Sequence, residues 1–277
     1  MHFRQLCFAL IVLLTGSCQN DQSAPKVSAP VTTPPASISN PLPMGIELIP
    51  KEAKETVANV NSVHVWVDKG NLCVAGIVSN MSANWLRFWL EARPVDQNGR
   101  ALAFSGHAGV VVMPYSKAVP PSGRTSFFAS WPVSSFSGVP QNFTFTTWSV
   151  EQKPGPILAI PETSSIQMSV PQQTGQNLKP EVAWQMTGPL INPLNMVADH
   201  PCIEVLVYGK DDKLWFATVL DTKDQNMRQI FQWDKEGPMK PNEKRQINLQ
   251  VYSIGMADEL KDMGIKKIDL LPFNARD

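Results

Sequence analysis

Apolar and polar residues alternate at every second position in several short stretches, the period of a strand with one buried face. Residues 246–252 (QINLQVY) set Ile247, Leu249 and Val251 on one side and Gln246, Asn248 and Gln250 on the other. Residues 142–150 alternate likewise through Phe143, Phe145 and Thr147. The runs SVHVWVD (62–68) and NLCVAGIV (71–78) flank Lys69-Gly70, which predicts a hairpin closed by a tight turn. One stretch breaks the rhythm: in residues 255–264, Met256, Leu260 and Met263 fall at i, i+4, i+7, which predicts a short helix before the last strand. About seven short strands in each half, with turn signals every 8–12 residues or so, predict an all-β chain of two antiparallel β-sandwiches in tandem.

The two halves repeat one another. VAGIVSN (74–80) matches MTGPLIN (186–192), setting Gly76 against Gly188 and Asn80 against Asn192. FWLEARPVDQNG (88–99) matches CIEVLVYGKDDK (202–213), with Asp96 opposite Asp211 in the turn that follows an apolar strand. GVVVMPYSKAVPPSGRTSFFASW (109–131) matches QIFQWDKEGPMKPNEKRQINLQV (229–251), where Pro121 faces Pro241. The shared order of these weak matches is what identifies a repeat. It places the first sandwich at 46–160 and the second at 161–277.

The pattern V-x-G-x-V-x-N, then a strand ending in D-x-x-G, then P-x-G before a closing strand, resembles the FxLYM-type immunoglobulin-like domain of prokaryotic envelope proteins. The first half carries it as VAGIVSN, DQNG and PPSGRTSFF. The second departs from it: Pro189 follows its glycine and KDDK lacks the turn glycine. The resemblance implies an immunoglobulin-like sandwich in each half and brings no catalytic residues with it.

The chain opens on a different signal. Arg4 precedes nine apolar residues, 6–14, the geometry of a secretory signal over residues 1–17. That segment is shorter than the roughly 20 residues needed to span a bilayer. Leu14-Thr15-Gly16-Ser17-Cys18 then resembles a bacterial lipobox, although Thr15 stands where leucine is usual. The resemblance implies cleavage before Cys18, acylation of its thiol by fatty acids such as palmitate, and a lipid-bilayer anchor. By the same resemblance, Gln19 after the cysteine implies the outer membrane, with the body in the periplasm or on the cell surface. Residues 18–45 are rich in Pro, Ser, Ala and Thr, with Asp21 and Lys26 their only charges, and are expected to form a disordered tether.

Charge narrows the partners. The chain has 24 basic and 24 acidic residues, and losing Arg4 leaves one net negative charge. No basic excess attracts nucleic acid or anionic lipid. Once Cys7 leaves with the signal and Cys18 takes lipid, Cys73 and Cys202 remain. They are either an interdomain disulfide or two separate core thiols. Asp199, His200 and Cys202 lie close together but lack the second ligand pair of a zinc site, so no metal or cofactor is expected. No phosphate loop, HExxH or G-x-S-x-G motif is present.

Eight tryptophans are generous for this length. Most fall in apparent strands. Trp85 follows SNMSAN and Trp215 follows DDKL, so these two are either strand packing or an exposed pair that stacks on sugars or anchors a partner. The resulting expectation is a non-enzymatic, outer-membrane-anchored accessory lipoprotein that contacts other envelope proteins; the alternative is a glycan- or peptidoglycan-binding lipoprotein.

Overall fold

In the first half, strands form at β1 (Lys54–Glu55), β2 (Asn59–Asp68), β3 (Asn71–Ser79), β4 (Trp85–Val95), β5 (Val110–Val112), β6 (Arg124–Pro132) and β7 (Asn142–Gln152). In the second they form at β8 (Gln167–Ser169), β9 (Val182–Ile191), β10 (Pro201–Gly209), β11 (Leu214–Asp221), β12 (Lys244–Tyr252) and β13 (Ile265–Asn274). A single helix, α1 (Asp258–Met263), precedes β13 among the described residues. The structure is a computed structural model that describes residues 43–160, 167–169, 182–221, 237–252 and 256–275. The fold is all-β, and every ladder between named strands is antiparallel.

The sheets repeat strand for strand. The first half pairs β2-β3-β6 in one sheet and β1-β7-β4-β5 in the other. The second pairs β8-β9-β12 and β11-β10-β13, so that β8 to β13 take the places of β2 to β7. Lys69 (φ 48°) and Gly70 (φ 79°) form the two-residue β2–β3 turn, whose left-handed pair matches the twist of the strands it joins. Gly76 is required for close packing: a Cβ there would lie 2.4 Å from Phe127 Cζ. Helix α1 buries Leu260, with Met256 buried just ahead of it, as the spacing predicts.

The first core gathers Leu72, Val74 and Val78 from β3, Leu86, Phe88 and Leu90 from β4, and Phe127 and Phe143. The second gathers Met186, Leu190, Ile203, Val205, Ile247 and Leu260, and it also takes in Trp66, Cys73, Ala75 and Ile77 from the first half. Successive residues of β3 thus point into different cores. β10 is buried along its whole length. NLCVAGIV, and CIEVLVYG apart from Glu204, lack the alternation of a half-buried strand for this reason: each strand has protein on both faces. The outer face of β2-β3-β6 packs on β11-β10-β13, making four sheets in succession.

The start of the folded part corrects one expectation. Met44 and Gly45, assigned to the tether, belong to the folded part, because Met44 already pairs with β5. Its N–H donates to Gly109 O (2.6 Å) and its carbonyl accepts from Val111 N (3.0 Å). The chain then makes a 3-10 turn over Ile46–Leu48 and reaches the opposite edge of the same sheet, where Lys54 pairs with Ser149. Pairing at both edges draws this segment into the sandwich. No helix among the described residues is long and apolar enough to cross a membrane.

Candidate functional site

Two places concentrate the side chains with chemistry: the interface between the halves and a cleft at one end of it. The interface holds Glu204, an acid in an otherwise apolar strand and 1 % exposed. It points from β10 at the start of β6. Thr125 Oγ1 donates to its Oε1 (2.7 Å), and both the N–H and the Oγ of Ser126 donate to its Oε2 (2.6 Å each). Burial raises its carboxyl to about 7, against the opposing pull of these hydrogen bonds and of Arg124. Tyr115, from the loop before β6, donates its hydroxyl to Ala217 O (3.0 Å). Burial, then the Glu204 charge, hold that phenol well above its usual range.

Farther along the interface lies an aromatic cluster. His64 stacks on Trp66 with centroids 5.0 Å apart and meets the edge of Trp215 at 4.3 Å. Trp66 and Trp215 are 5.4 Å apart. Trp215 Nε1 donates to Asp211 Oδ1 (3.0 Å), which ties the cluster to the turn before β11. Burial first, then Lys213, pull the imidazole pKa of His64 below its ordinary value. The ring is packed against two indoles, and its Nδ1 is buried without a hydrogen-bond partner.

For Trp215 these positions decide between strand packing and surface exposure, in favour of packing. It is 2 % exposed and buried between the halves, so it forms no surface pair with Trp85. A turn rich in charge precedes it, but the docked first half covers it. Cys73 and Cys202 are both buried, and no disulfide joins them. Cys73 lies at the Trp66 end, paired with that residue in the β2–β3 ladder and hydrogen-bonded from its Sγ to Ser130 Oγ (3.4 Å). Cys202 lies on the first rungs of β10, opposite Phe273 in β13. The structure joins them to different neighbours rather than to each other. Cys18 lies outside the described residues.

Trp85 opens β4 and is half-buried at the lip of a cleft of about 170 Å³. Pro120 and Arg124 of the first half, Ile157 and Leu158 of the connecting segment, and Phe273 and Asn274 of the second line it. It is mostly apolar, with Ser116, Arg124 and Asn274 as its polar side chains. Among the described residues, no group of three or more His, Cys, Asp or Glu is placed to hold a metal.

Reading the sequence singled out Trp85 and missed Glu204 and Arg124. One signal was available for Glu204: a lone acid inside an eight-residue apolar run needs a partner on the face it reaches. For Arg124 there was none, since an arginine after a turn is ordinary surface. No family model matches the chain, and no curated protein matches it.

Proposed function

We propose that this chain is a non-enzymatic, lipid-anchored accessory subunit of a protein assembly in the cell envelope, acting through protein–protein contacts. The observation that supports this most is how the buried polar groups are used. Glu204, Thr125, Ser126 and Tyr115 bond across the halves, and His64 packs against Trp66 and Trp215. Groups committed to holding two sandwiches together make a rigid body, suited to presenting a surface. The lipobox-like LTGSC and the Pro-rich residues after it supply the anchor and reach of the reading. The reading is tested by isolating the protein from gently solubilised membranes beside a Cys18→Ala variant. A defined partner recovered stoichiometrically with the anchored form is expected; a lone monomer contradicts it.

A glycan-binding role is the second reading, favoured by the half-buried Trp85 at the cleft. It has lost one of its two aromatic platforms with the burial of Trp215. Quenching of tryptophan fluorescence by peptidoglycan fragments supports it, and an unchanged spectrum removes it.

A further inference from the structure

The Trp85 cleft sits where apolar side chains gather at one end of the molecule. Met81, 68 % exposed, lies on the β3–β4 loop that leads to Trp85, and Ile157, 42 % exposed, lines the cleft. The corresponding loop of the second half carries Met196 and Val197, also exposed. That loop leads into β10, whose Cys202 pairs with Phe273, and Phe273 lines the cleft. Both loops therefore open at the same end. Exposed methionines are apolar and adaptable, a composition suited to protein contacts.

Charge at the lip indicates what the occupant carries. Arg124 is half-exposed, and its guanidinium lies 3.8 Å from an Asp269 carboxylate oxygen. The same Asp269 oxygen is 3.2 Å from Lys267 Nζ. Arg124 and Lys267 share Asp269, and Glu204, also within electrostatic reach of Arg124, is buried and keeps its proton up to about pH 7, which leaves positive charge beside an apolar hollow sized for one large side chain.

Resting on the accessory-subunit reading, we propose that this cleft docks a partner-protein segment that inserts one apolar side chain between Trp85 and Ile157 and sets a carboxylate against Arg124. The apolar lining receives the side chain, and the guanidinium fork takes the carboxylate by charge-assisted hydrogen bonds. A sugar would need a denser array of polar partners than Ser116, Arg124 and Asn274 supply.

Small probes test this on the whole mature protein. N-acetyl-phenylalanine, its amide and N-acetylglucosamine are titrated while the Trp85 indole N–H is followed by NMR. The acid is expected to shift that resonance and the amide to bind roughly tenfold more weakly, the loss of one charge-assisted contact. Arg124→Gln is expected to weaken the acid by a similar factor and leave the amide unchanged. Ile157→Asn, at an exposed position that does not threaten folding, is expected to weaken both. Equal affinity for acid and amide, or titrations indifferent to both variants, overturn the proposal, as does a shift produced by the sugar alone. If neither phenylalanine probe binds a protein that still co-purifies with a partner, this proposal falls and the accessory-subunit reading stands. If the acid binds as expected but no partner is ever recovered, that reading falls while the cleft's chemistry holds.

Discussion

Asn80 and Asn192 do the same work in the two halves: each spreads its Nδ2 over three backbone carbonyls. Asn80 donates to Asn84 O, Val119 O and Pro120 O at 2.8, 2.9 and 3.1 Å. Asn192 donates to Met196 O, Met239 O and Lys240 O at 2.6, 3.2 and 3.1 Å. Each backbone also closes on the turn after the paired prolines, through Asn80 N–H to Gly123 O (2.9 Å) and Asn192 N–H to Glu243 O (3.0 Å). The halves differ at the other amide atom. Asn80 Oδ1 accepts from Ser82 N and Oγ, both at 2.9 Å, whereas Leu194 stands in that place in the second half and Asn192 Oδ1 is buried without a partner.

Replacing either asparagine by alanine should destabilise the protein by about 2–3 kcal/mol, with Asn80 the costlier because more of its bonds are lost. Aspartate should be worse than alanine at both positions, since a carboxylate would face three carbonyls with no donor. Urea unfolding of the four variants checks the order. Aspartate tolerated as well as alanine would refute this account of the two turns.

Much of the fold was legible because the repeat carried it. Asn80 and Asn192, Gly76, and Pro121 with Pro241 stood out by recurrence before any contact was visible. Alternation in 142–150 and the i, i+4, i+7 spacing before β13 read correctly because each element has one wet face. The interface between the halves was not legible. NLCVAGIV and CIEVLVYG have no periodicity to reveal which side meets which neighbour, and a tryptophan beside a charged turn looks the same whether a second sandwich covers it or not. The cleft escaped for a similar reason: Trp85, Arg124, Ile157 and Phe273 come from four separated segments.

Stability should depend on pH through Glu204. Its folded carboxyl titrates at about 7 against 4.5 for an ordinary glutamate, so the folded protein keeps a proton that the unfolded chain has lost. This contribution is fully present below pH 4.5 and is lost as the pH rises through about 7. Its size is of order 3 kcal/mol. His64 acts in the opposite direction, because its lowered pKa makes its contribution fall on acidification. Denaturation of wild type and Glu204→Gln between pH 4 and 9 isolates the first effect. The wild type should lose stability relative to the variant across that window, and parallel curves would contradict the assignment.

Gly76→Ala should destabilise by roughly 1–3 kcal/mol, the range for overpacking a close-packed core. The added Cβ would meet the Phe127 ring at 2.4 Å and 2.7 Å. Adding Phe127→Leu should recover part of that loss, so the double variant is more stable than the sum of the single changes predicts. Thermal melts measure the cycle, and strict additivity would mean that the ring is not the obstacle.

Neither thiol of the folded part should react quickly in the native protein. Burial pushes the Cys73 thiol pKa up, and Cys202 is buried in β10. Both should label with a thiol reagent only on unfolding in urea, and reductant should leave the melting temperature unchanged. A drop in melting temperature with reductant would instead reveal a Cys73–Cys202 bond.

The central claim is that the two repeats form one cooperative body, joined where β2-β3-β6 meets β11-β10-β13 and fastened by Glu204 to Thr125 and Ser126. Scanning calorimetry of the mature chain tests it most directly. A single transition is predicted, with equal calorimetric and van't Hoff enthalpies, and Glu204→Ala should move the whole transition to lower temperature. Two resolved transitions, with only one shifted by that substitution, would contradict it.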